Sequence, residues 1–519
     1  MEPRAYSNLT PKQGWSWETA PAPVPEAAIK ESSEADIIII GGGLSGLAAG
    51  ARCTALGMSV IIADKAEKAA VCDSRVAVLD SPLMRKHGIT INKKQFARDW
   101  IKSSSSRVNE DLLWLYINRS GEALEWFLSL AEGELEAELI ADSYKGPSFN
   151  DYYGTHTFTL KEGSKKYVNT SGGALICEVL EKEYLKNGGR LVPETRAVQL
   201  DKDASGRITG FVAVTKTGEY RRFKAKKAVV LATGDIGNDP EMLAAFCPLA
   251  LKTDVNQTDP QGLNTGDGHK LAYWAGAAFD DLAWATALNN NAYSPYSFFF
   301  LHVNQRGRRF MNEDTWTQAK AIRCLMQPGI DYAFTIMDAN WLEDLGKRFD
   351  ITGGEGVRPS CLTAYGSKWR AGCGIEKEIE ETIKAGNGAK ADTLAELAEK
   401  IGVPAEALIK TVERYNEVVC KGLDYDFGKR SELLTPVVKA PFYALKWGPA
   451  LEGVYGGVLT NTKTNVLGPD YKPIPGLYAV GKIAGGIYGV DYPRLMTGIE
   501  NGRALTWALA LADAVKGID

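Results

Sequence analysis

Four isoleucines in succession, Ile37 to Ile40, follow a polar stretch and end at a cluster of glycines. Strict alternation would predict a strand with one wet face, whereas an unbroken apolar run predicts a parallel strand buried on both faces. The signature recurs downstream. Ser59 to Ala63 follows an alanine-rich helical stretch, Ala228 to Leu231 runs into Gly234, and Gly476 to Val480 runs into Gly481. Gly189 to Val192 and Thr195 to Leu200 add shorter strands, with turns around Gly206 and Gly218. The chain therefore leaves one sheet and returns to it twice. Between Asp280 and Leu445 the pattern changes to an aromatic, asparagine-rich stretch (Asn289 to Phe300), a strand and turn (His302 to Phe310) and two amphipathic helices. Asp392 or Thr393 supplies the N-cap of the first helix, and Pro404 the first turn of the second. An alanine- and leucine-rich helix, Glu500 to Val515, closes the chain. The expectation is an α/β domain in two parts, 35–279 and 446–519, with an α+β segment inserted at 280–445 and a polar, proline-rich extension at 1–34.

The glycines after the first strand carry the first chemical signal. Gly41, Gly43 and Gly46 are spaced to give a tight turn, a close backbone approach to a pyrophosphate, and close packing of the next helix on the strand. Phosphates would sit on the N-terminus of that helix, where unpaired N–H groups and the helix dipole favour an anion. Asp64 ends the second strand eighteen positions past Gly46, where an acid accepts ribose hydroxyls. Strand, turn, helix, strand and acid in register predict a dinucleotide cofactor.

Length and composition narrow the class further. At 519 residues the chain exceeds what one hydrophobic core supports, and its 45% hydrophobic and 24% charged content is that of a globular protein. A net charge of −4 with scattered lysines gives no electrostatic footprint for nucleic acid or an anionic membrane. No apolar run is long enough to span a bilayer, and residues 1–34 lack the parts of a secretory signal. As written, the chain reads as cytoplasmic, the alternative being an export leader already removed. The eight cysteines include no Cys-x-x-Cys pair, so zinc, iron–sulfur and haem attachment lack a signature, and the thiols read as dispersed and buried. No metal is expected.

Six motifs occur in the order found in the fumarate reductase and 3-ketosteroid dehydrogenase flavoprotein family, which the chain resembles from about Ala35 onward. They are Gly41 to Gly46 with Asp64, Ala232-Thr233-Gly234, Thr265 to Gly268, Val303 to Glu313, Pro441-Phe442-Tyr443, and Gly476 to Gly486. The resemblance implies a two-part Rossmann-like FAD-binding domain with an inserted α+β capping domain that closes over the isoalloxazine ring. It implies FAD contacts from Gly41, Gly43, Ser45, Gly46, Asp64, Lys65, Ser74, Val198, Ala232, Thr233, Gly234, Asp267, Gly481, Lys482, Gly498 and Ile499. Val198 would offer its backbone to adenine, Ser74 would lie along the flavin, and the helix after Gly498 would point at flavin N1 and O2. Where covalent-flavin members have a histidine, this chain has Cys72 to Arg75, so the FAD is expected to be non-covalent. Lys482 replaces the family's usual glutamate. There is no second dinucleotide fingerprint, so electrons are expected to pass to or from a separate donor or acceptor.

A flavin with a nearby proton carrier and a carbonyl anchor interconverts C=C and CH–CH, because the carbonyl stores the developing charge as an enolate. The paired histidines of dicarboxylate-reducing members are replaced by Glu452 to Gly457, and their proton-donating arginine by Thr317. Tyr492-Pro493 resembles the Tyr-Pro of ketosteroid dehydrogenases, with Arg494 in place of the following glycine. Tyr492 is therefore the first candidate for acid or carbonyl donor, with Tyr455, Tyr296 and Tyr488 behind it. Arg494 either anchors a carboxylate or, the preferred reading, neutralises Asp491 or the reduced flavin. The aromatic stretch Tyr293 to Phe300 at the border of cap and flavin favours an apolar substrate with a conjugated carbonyl, such as a 3-oxosteroid. Two alternatives stay open: a reductase of an unsaturated carboxylate held by Arg494, and a non-catalytic flavin subunit that passes electrons within a complex.

Overall fold

The structure, a computed structural model, describes residues 5–68, 73–140, 143–148, 150–257, 259, 261–281, 283–352 and 372–518. Its largest sheet is built around strand β1 (Ile29–Ile40), helix α1 (Leu44–Ala55) and strand β2 (Val60–Ala63). β1 pairs in parallel with β2, Ile37 opposite Val60 and Ile40 opposite Ala63. On its other side β1 pairs in parallel with Tyr220–Leu231, which places Ile37 opposite Ala228 and Ile40 opposite Leu231. Pro473–Ala479 then joins Tyr220–Leu231 in parallel, and Arg190–Val192 joins β2 at the far flank. Ile37, Ile38 and Ile39 are fully buried, as a strand covered on both faces requires. Both predicted returns of the chain thus end in one mixed α/β sheet of the doubly wound kind.

The inserted segment has a sheet of its own, in the order Leu301–Asn304, Ala333–Met337, Phe442–Trp447 and Gly388–Ala391. Thr393 rather than Asp392 caps the helix Leu394–Ile401, its side chain accepting the Glu396 N–H, and Pro404 occupies the N-cap of Ala405–Lys421. Strand Phe442–Trp447 continues past residue 445, and β1 begins at Ile29, inside the expected extension. The rest of that extension folds back on the sheet domain. Phe279 N–H bonds to Tyr6 O at 2.7 Å, Trp274 Nε1 bonds to Trp17 O at 2.8 Å, and the Trp17 ring is buried.

The packing bears on two expectations. Tyr296, Phe299 and Phe300 form one core cluster with Met337, Trp341, Leu345 and Phe349, while Phe298 and Phe299 also line a cavity with Thr315, Thr317 and Lys320. The cysteines are not uniformly buried thiols: Cys53, Cys177, Cys247 and Cys324 are buried, Cys420 is exposed, and Cys373 is disulfide-bonded. Cys72 and Cys361 lie outside the described residues. Among the described residues no helix is long and apolar enough to cross a membrane, and no cluster of His, Cys, Asp and Glu could hold a metal.

Candidate active site

The turn from β1 into α1 is made of residues that tolerate no side chain, next to one that leaves room for a ligand. Gly41 has φ +108°, and a Cβ there would lie 2.2 Å from Ala232 O; a Cβ on Gly46 would lie 1.9 Å from Gly41 O. Both are forced by the close approach of strand and helix. A Cβ on Gly43, the N-cap of α1, would meet nothing within 4 Å, and no side chain caps the helix there. The first N–H groups of α1 therefore face open space beside Gly43, as a phosphate site demands. Asp64 accepts from the N–H groups of Gly42 and Ala66, which fixes its carboxylate at the end of β2. Lys65 Nζ lies 2.8 Å from Thr265 Oγ1 and 2.8 Å from Asp267 Oδ2, which ties the end of β2 to the start of the helix Asp267–Ala275. Ala197 pairs with Ala213 and Gln199 with Val212, so Val198 bulges out of the ladder and its backbone is left to other partners. Thr233 Oγ1 is buried and has no partner among the described residues. An orphaned hydroxyl beside an open anion site and a fixed acid is what a bound FAD would satisfy, so these residues fit the cofactor.

Three chain segments meet at the other end of the cradle. Gly481 has φ +76°, with a Cβ position 2.3 Å from Ser45 Oγ, which presses Gly481 and Lys482 against α1. The C-terminal helix Ile499–Lys516 begins at Gly498, where a Cβ would lie 2.6 Å from the Arg75 carbonyl carbon. Asn501 Nδ2 donates to Asp73 O at 3.0 Å and Arg75 O at 2.8 Å, so Ser74 is held beside the first turn of that helix. Arg503, fully buried, donates to Gly481 O and Ala484 O, each at 2.8 Å, and pairs with Glu500 at 2.7 Å.

Tyr455, Tyr488 and Tyr492 pack together above this turn, with centroids 4.6 Å apart for Tyr455 and Tyr492 and 5.1 Å for Tyr488 and Tyr492. Burial, with the Glu500 charge and neighbouring phenols or carboxylates adding to it, pushes all three phenols well above their usual range. Their hydroxyls differ in commitment. Tyr488 donates to Glu500 at 2.9 Å, whereas Tyr455 and Tyr492 have no hydrogen-bond partner among the described residues. Tyr296 packs apart from the cluster, in the cap core, where its hydroxyl donates to Glu378.

Around the tyrosines lie three buried or half-buried ion pairs, Lys482 with Asp235, Arg494 with Glu452, and Arg503 with Glu500. Burial acts to lower the Lys482 ammonium, but Asp235 at 3.1 Å outweighs it and holds Lys482 above the ordinary lysine range. Arg494 makes no ion pair with Asp491, although its charge acts to lower that carboxyl. It donates to the Glu452 carboxylate and to Leu288 O at 2.9 Å, because the strand Ala450–Tyr455 carries Glu452 directly beneath it. Asp491 instead accepts from Gln318 Nε2, and burial raises its carboxyl to about 6. Sequence reasoning named none of Asp235, Glu452, Gln318, Glu500 or Arg503 as partners. Asp235 had a signal, because a lysine at 482 inside a cofactor cradle needs a buried carboxylate nearby. His156, His269 and His302 are fully buried and pushed down by burial, and of these His269 lies against Gly457 and feels the charge of Asp235.

Comparison with known proteins agrees with this geometry. Residues 36–494 match the family model described as an FAD binding domain. The urocanate reductase of Eggerthella lenta is 26% identical over 494 residues, covering 92% of this chain and 74% of that protein. The vinyl phenol reductase of Lactiplantibacillus plantarum is 24% identical over 485 residues, covering 89% of this chain and 92% of its own. A solved 3-ketosteroid Δ1-dehydrogenase from Sterolibacterium denitrificans superposes with a TM-score of 0.72 at 20% identity, over 94% of this chain and 100% of that one, and so shares the fold. Cradle, fold and relatives converge: the chain belongs to this FAD-binding family and is an FAD-dependent oxidoreductase that acts on C=C and CH–CH bonds.

Proposed function

We propose that the protein interconverts C=C and CH–CH next to a carbonyl or an equivalent electron sink in an uncharged substrate, with Tyr492 as the proton carrier. The observation that carries this reading is the uncommitted hydroxyl of Tyr492 in a stack with Tyr455, beside the turn that Arg503 pins to the cofactor cradle. FAD, when bound, supplies hydride acceptance and donation. Tyr492 then gives a proton to, or takes one from, the neighbouring carbon. A phenol pushed above its usual range stays protonated throughout the physiological range, which suits donation to an enolate. Tyr455 stacks on Tyr492 and restricts its ring, while Tyr488 is held by Glu500 as the back wall. An uncharged substrate fits because each nearby cation already faces a carboxylate. The likeness to a vinyl phenol reductase supports the same substrate charge. Electrons come from a separate donor.

A second reading is an unsaturated carboxylate held by Arg494, and the likeness to a urocanate reductase favours it. The test is reoxidation of chemically reduced enzyme, followed by flavin absorbance, with a panel of enones, vinyl phenols and enoates. Tyr492→Phe is expected to slow turnover of the best neutral substrate about 100-fold or more, the range of general acid catalysis, with FAD content unchanged. Full activity in Tyr492→Phe, or turnover of enoates only, would refute the proposal.

A further inference from the structure

Arg494 lies where a substrate anchor would be needed, two residues past Tyr492 with its guanidinium 5.9 Å from that ring. It is not open to solvent, its side chain being 11% exposed, and one of its nitrogens donates to both Leu288 O and the Glu452 carboxylate. Glu452 stands on the strand Ala450–Tyr455, three residues before Tyr455, in the antiparallel pair that sets Leu288 opposite Leu451 and Asn289 opposite Ala450. Asn289 Nδ2 reaches Glu452 Oε1 at 3.5 Å. The carboxylate therefore comes from a rigid sheet and not from a mobile loop. Its charge is felt by Tyr455, Tyr492 and Lys482 alike, which places it among the groups that surround the reacting end of the site.

We propose that Glu452 is the specificity-determining residue of the site, an internal carboxylate that occupies the Arg494 guanidinium and so excludes anionic substrates in favour of uncharged ones. This deepens the uncharged-substrate reading and rests on it. An incoming carboxylate would have to displace Glu452 from Arg494, and the displaced charge would lose its guanidinium partner while Asp235 and Glu500 already answer Lys482 and Arg503. Two carboxylates at one guanidinium also repel. An uncharged carbonyl or phenol meets neither penalty. Removing the Glu452 charge should convert Arg494 into an open anion anchor, because a guanidinium binds carboxylates through charge-assisted, directional hydrogen bonds.

The test titrates sodium acrylate and sodium cinnamate into the FAD-loaded oxidised protein and reads the perturbation of the flavin spectrum as a Kd. Glu452→Ala is expected to bind both carboxylates about 10- to 100-fold more tightly than wild type, the range of hydrogen bonds to charged groups. Glu452→Gln, which keeps the side-chain shape, should shift Kd in the same direction. Adding Arg494→Gln to Glu452→Ala should abolish the gain. Flavin content and thermal midpoint, measured for each variant, separate loss of folding from loss of specificity. Wild type that binds the carboxylates as tightly as Glu452→Ala, or a gain that survives Arg494→Gln, overturns the proposal. Turnover of neutral alkenes by wild type is scored separately, so a failure of the uncharged-substrate reading shows itself independently of the Glu452 result.

Discussion

Arg309 is the keystone of the cap, and replacing it with methionine should loosen the cap measurably while leaving the FAD cradle folded. Its guanidinium donates to Glu313 through Nε and Nη2, both at 2.8 Å, and to Asp424 through Nη1 at 3.0 Å and Nη2 at 2.8 Å. Both carboxylate side chains are 0% exposed, and the next cation, Lys429, is 3.5 Å from Glu313. Methionine keeps most of the stem but removes every donor and the guanidinium that lies over Tyr415 and Phe427, leaving two buried carboxylates to share one ammonium. Breaking one side of such a pair costs about 3–5 kcal/mol. A consistent figure comes from Asp424. Burial works to raise its carboxyl, but hydrogen bonds from Arg309 and from the Lys429 and Phe427 N–H groups win and hold it at about 2, against 3.8 when unperturbed. That difference is worth roughly 2.5 kcal/mol, of which Arg309 supplies the largest part. Because the folded value is depressed, the stabilisation is present above the unfolded value and is lost as pH falls from about 4 towards about 2. Urea unfolding, followed by intrinsic fluorescence for the cap and by flavin release for the cradle, reads the two parts separately, since the whole need not be two-state. The expected result is a cap transition lowered by about 3 kcal/mol or more near neutral pH, with the gap to wild type narrowing in acid. A loss under about 1 kcal/mol, or a gap that widens as pH falls, would refute the reasoning.

Three further predictions address the cradle and its charges. Gly46→Ala drives a Cβ to 1.9 Å from Gly41 O and should weaken FAD binding by way of the protein's own packing, whereas Gly43→Ala meets no protein atom within 4 Å. Gly43→Ala should therefore keep its thermal midpoint as apoprotein yet lose FAD affinity by about tenfold or more, the cost of roughly one hydrogen bond to a charged group; fluorescence titration showing wild-type affinity would remove the pyrophosphate from this position. Lys482→Met takes away the cation beside Asp235 and should lower the flavin midpoint potential by about 30 mV or more, equivalent to roughly 1.4 kcal/mol for two electrons; an unchanged or higher potential in a dye-equilibrated reduction would contradict it. Asp280, raised by burial from 3.8 to about 7 while accepting N–H bonds from Gly457 and Gly486, should make stability fall as pH rises from about 4 to about 7. Asp280→Asn should flatten that stretch of the thermal-midpoint profile, and a slope unchanged from wild type would show that another group titrates there.

What could be read along the chain, and what could not, divides by distance in sequence. The β1 turn was legible because its constraint is local: Gly41 and Gly46 are demanded by a strand and helix only a few residues apart, and Asp64 by the strand that follows. The cap helix beginning at Leu394 was legible for the same reason, with only Thr393 against Asp392 left for the structure to decide. The packing of the aromatic run at Tyr293 to Phe300 was not legible, because composition says that rings are buried without saying against what. Their partners, Trp341, Leu345 and Phe349, come from a helix some forty residues downstream. The same holds for charge. Arg494 could be named as a functional arginine, but Glu452 lies 42 residues away and Gln318, which holds Asp491, lies 173 away.

Pairing of buried charges nevertheless follows a rule that narrows the choice. An arginine or lysine facing the interior must meet a carboxylate, or the desolvation cost would exceed what a fold of marginal stability can absorb. The site contains Lys482, Arg494 and Arg503, and the residues that answer them are Asp235, Glu452 and Glu500. Only the last pair is local, three residues apart on one helix, and it alone could have been anticipated from spacing. The other two cross between elements, so their assignment depends on the register of Ala450–Tyr455 against Ala285–Asn289 and on the turn that carries Lys482. A one-residue slip of that strand would turn Glu452 to the opposite face and leave Arg494 as an open anion anchor. Under the proposed role of Glu452, substrate charge would follow from strand register as much as from residue identity. A cationic anchor present in the sequence is a poor guide to an anionic substrate until its internal partner is known.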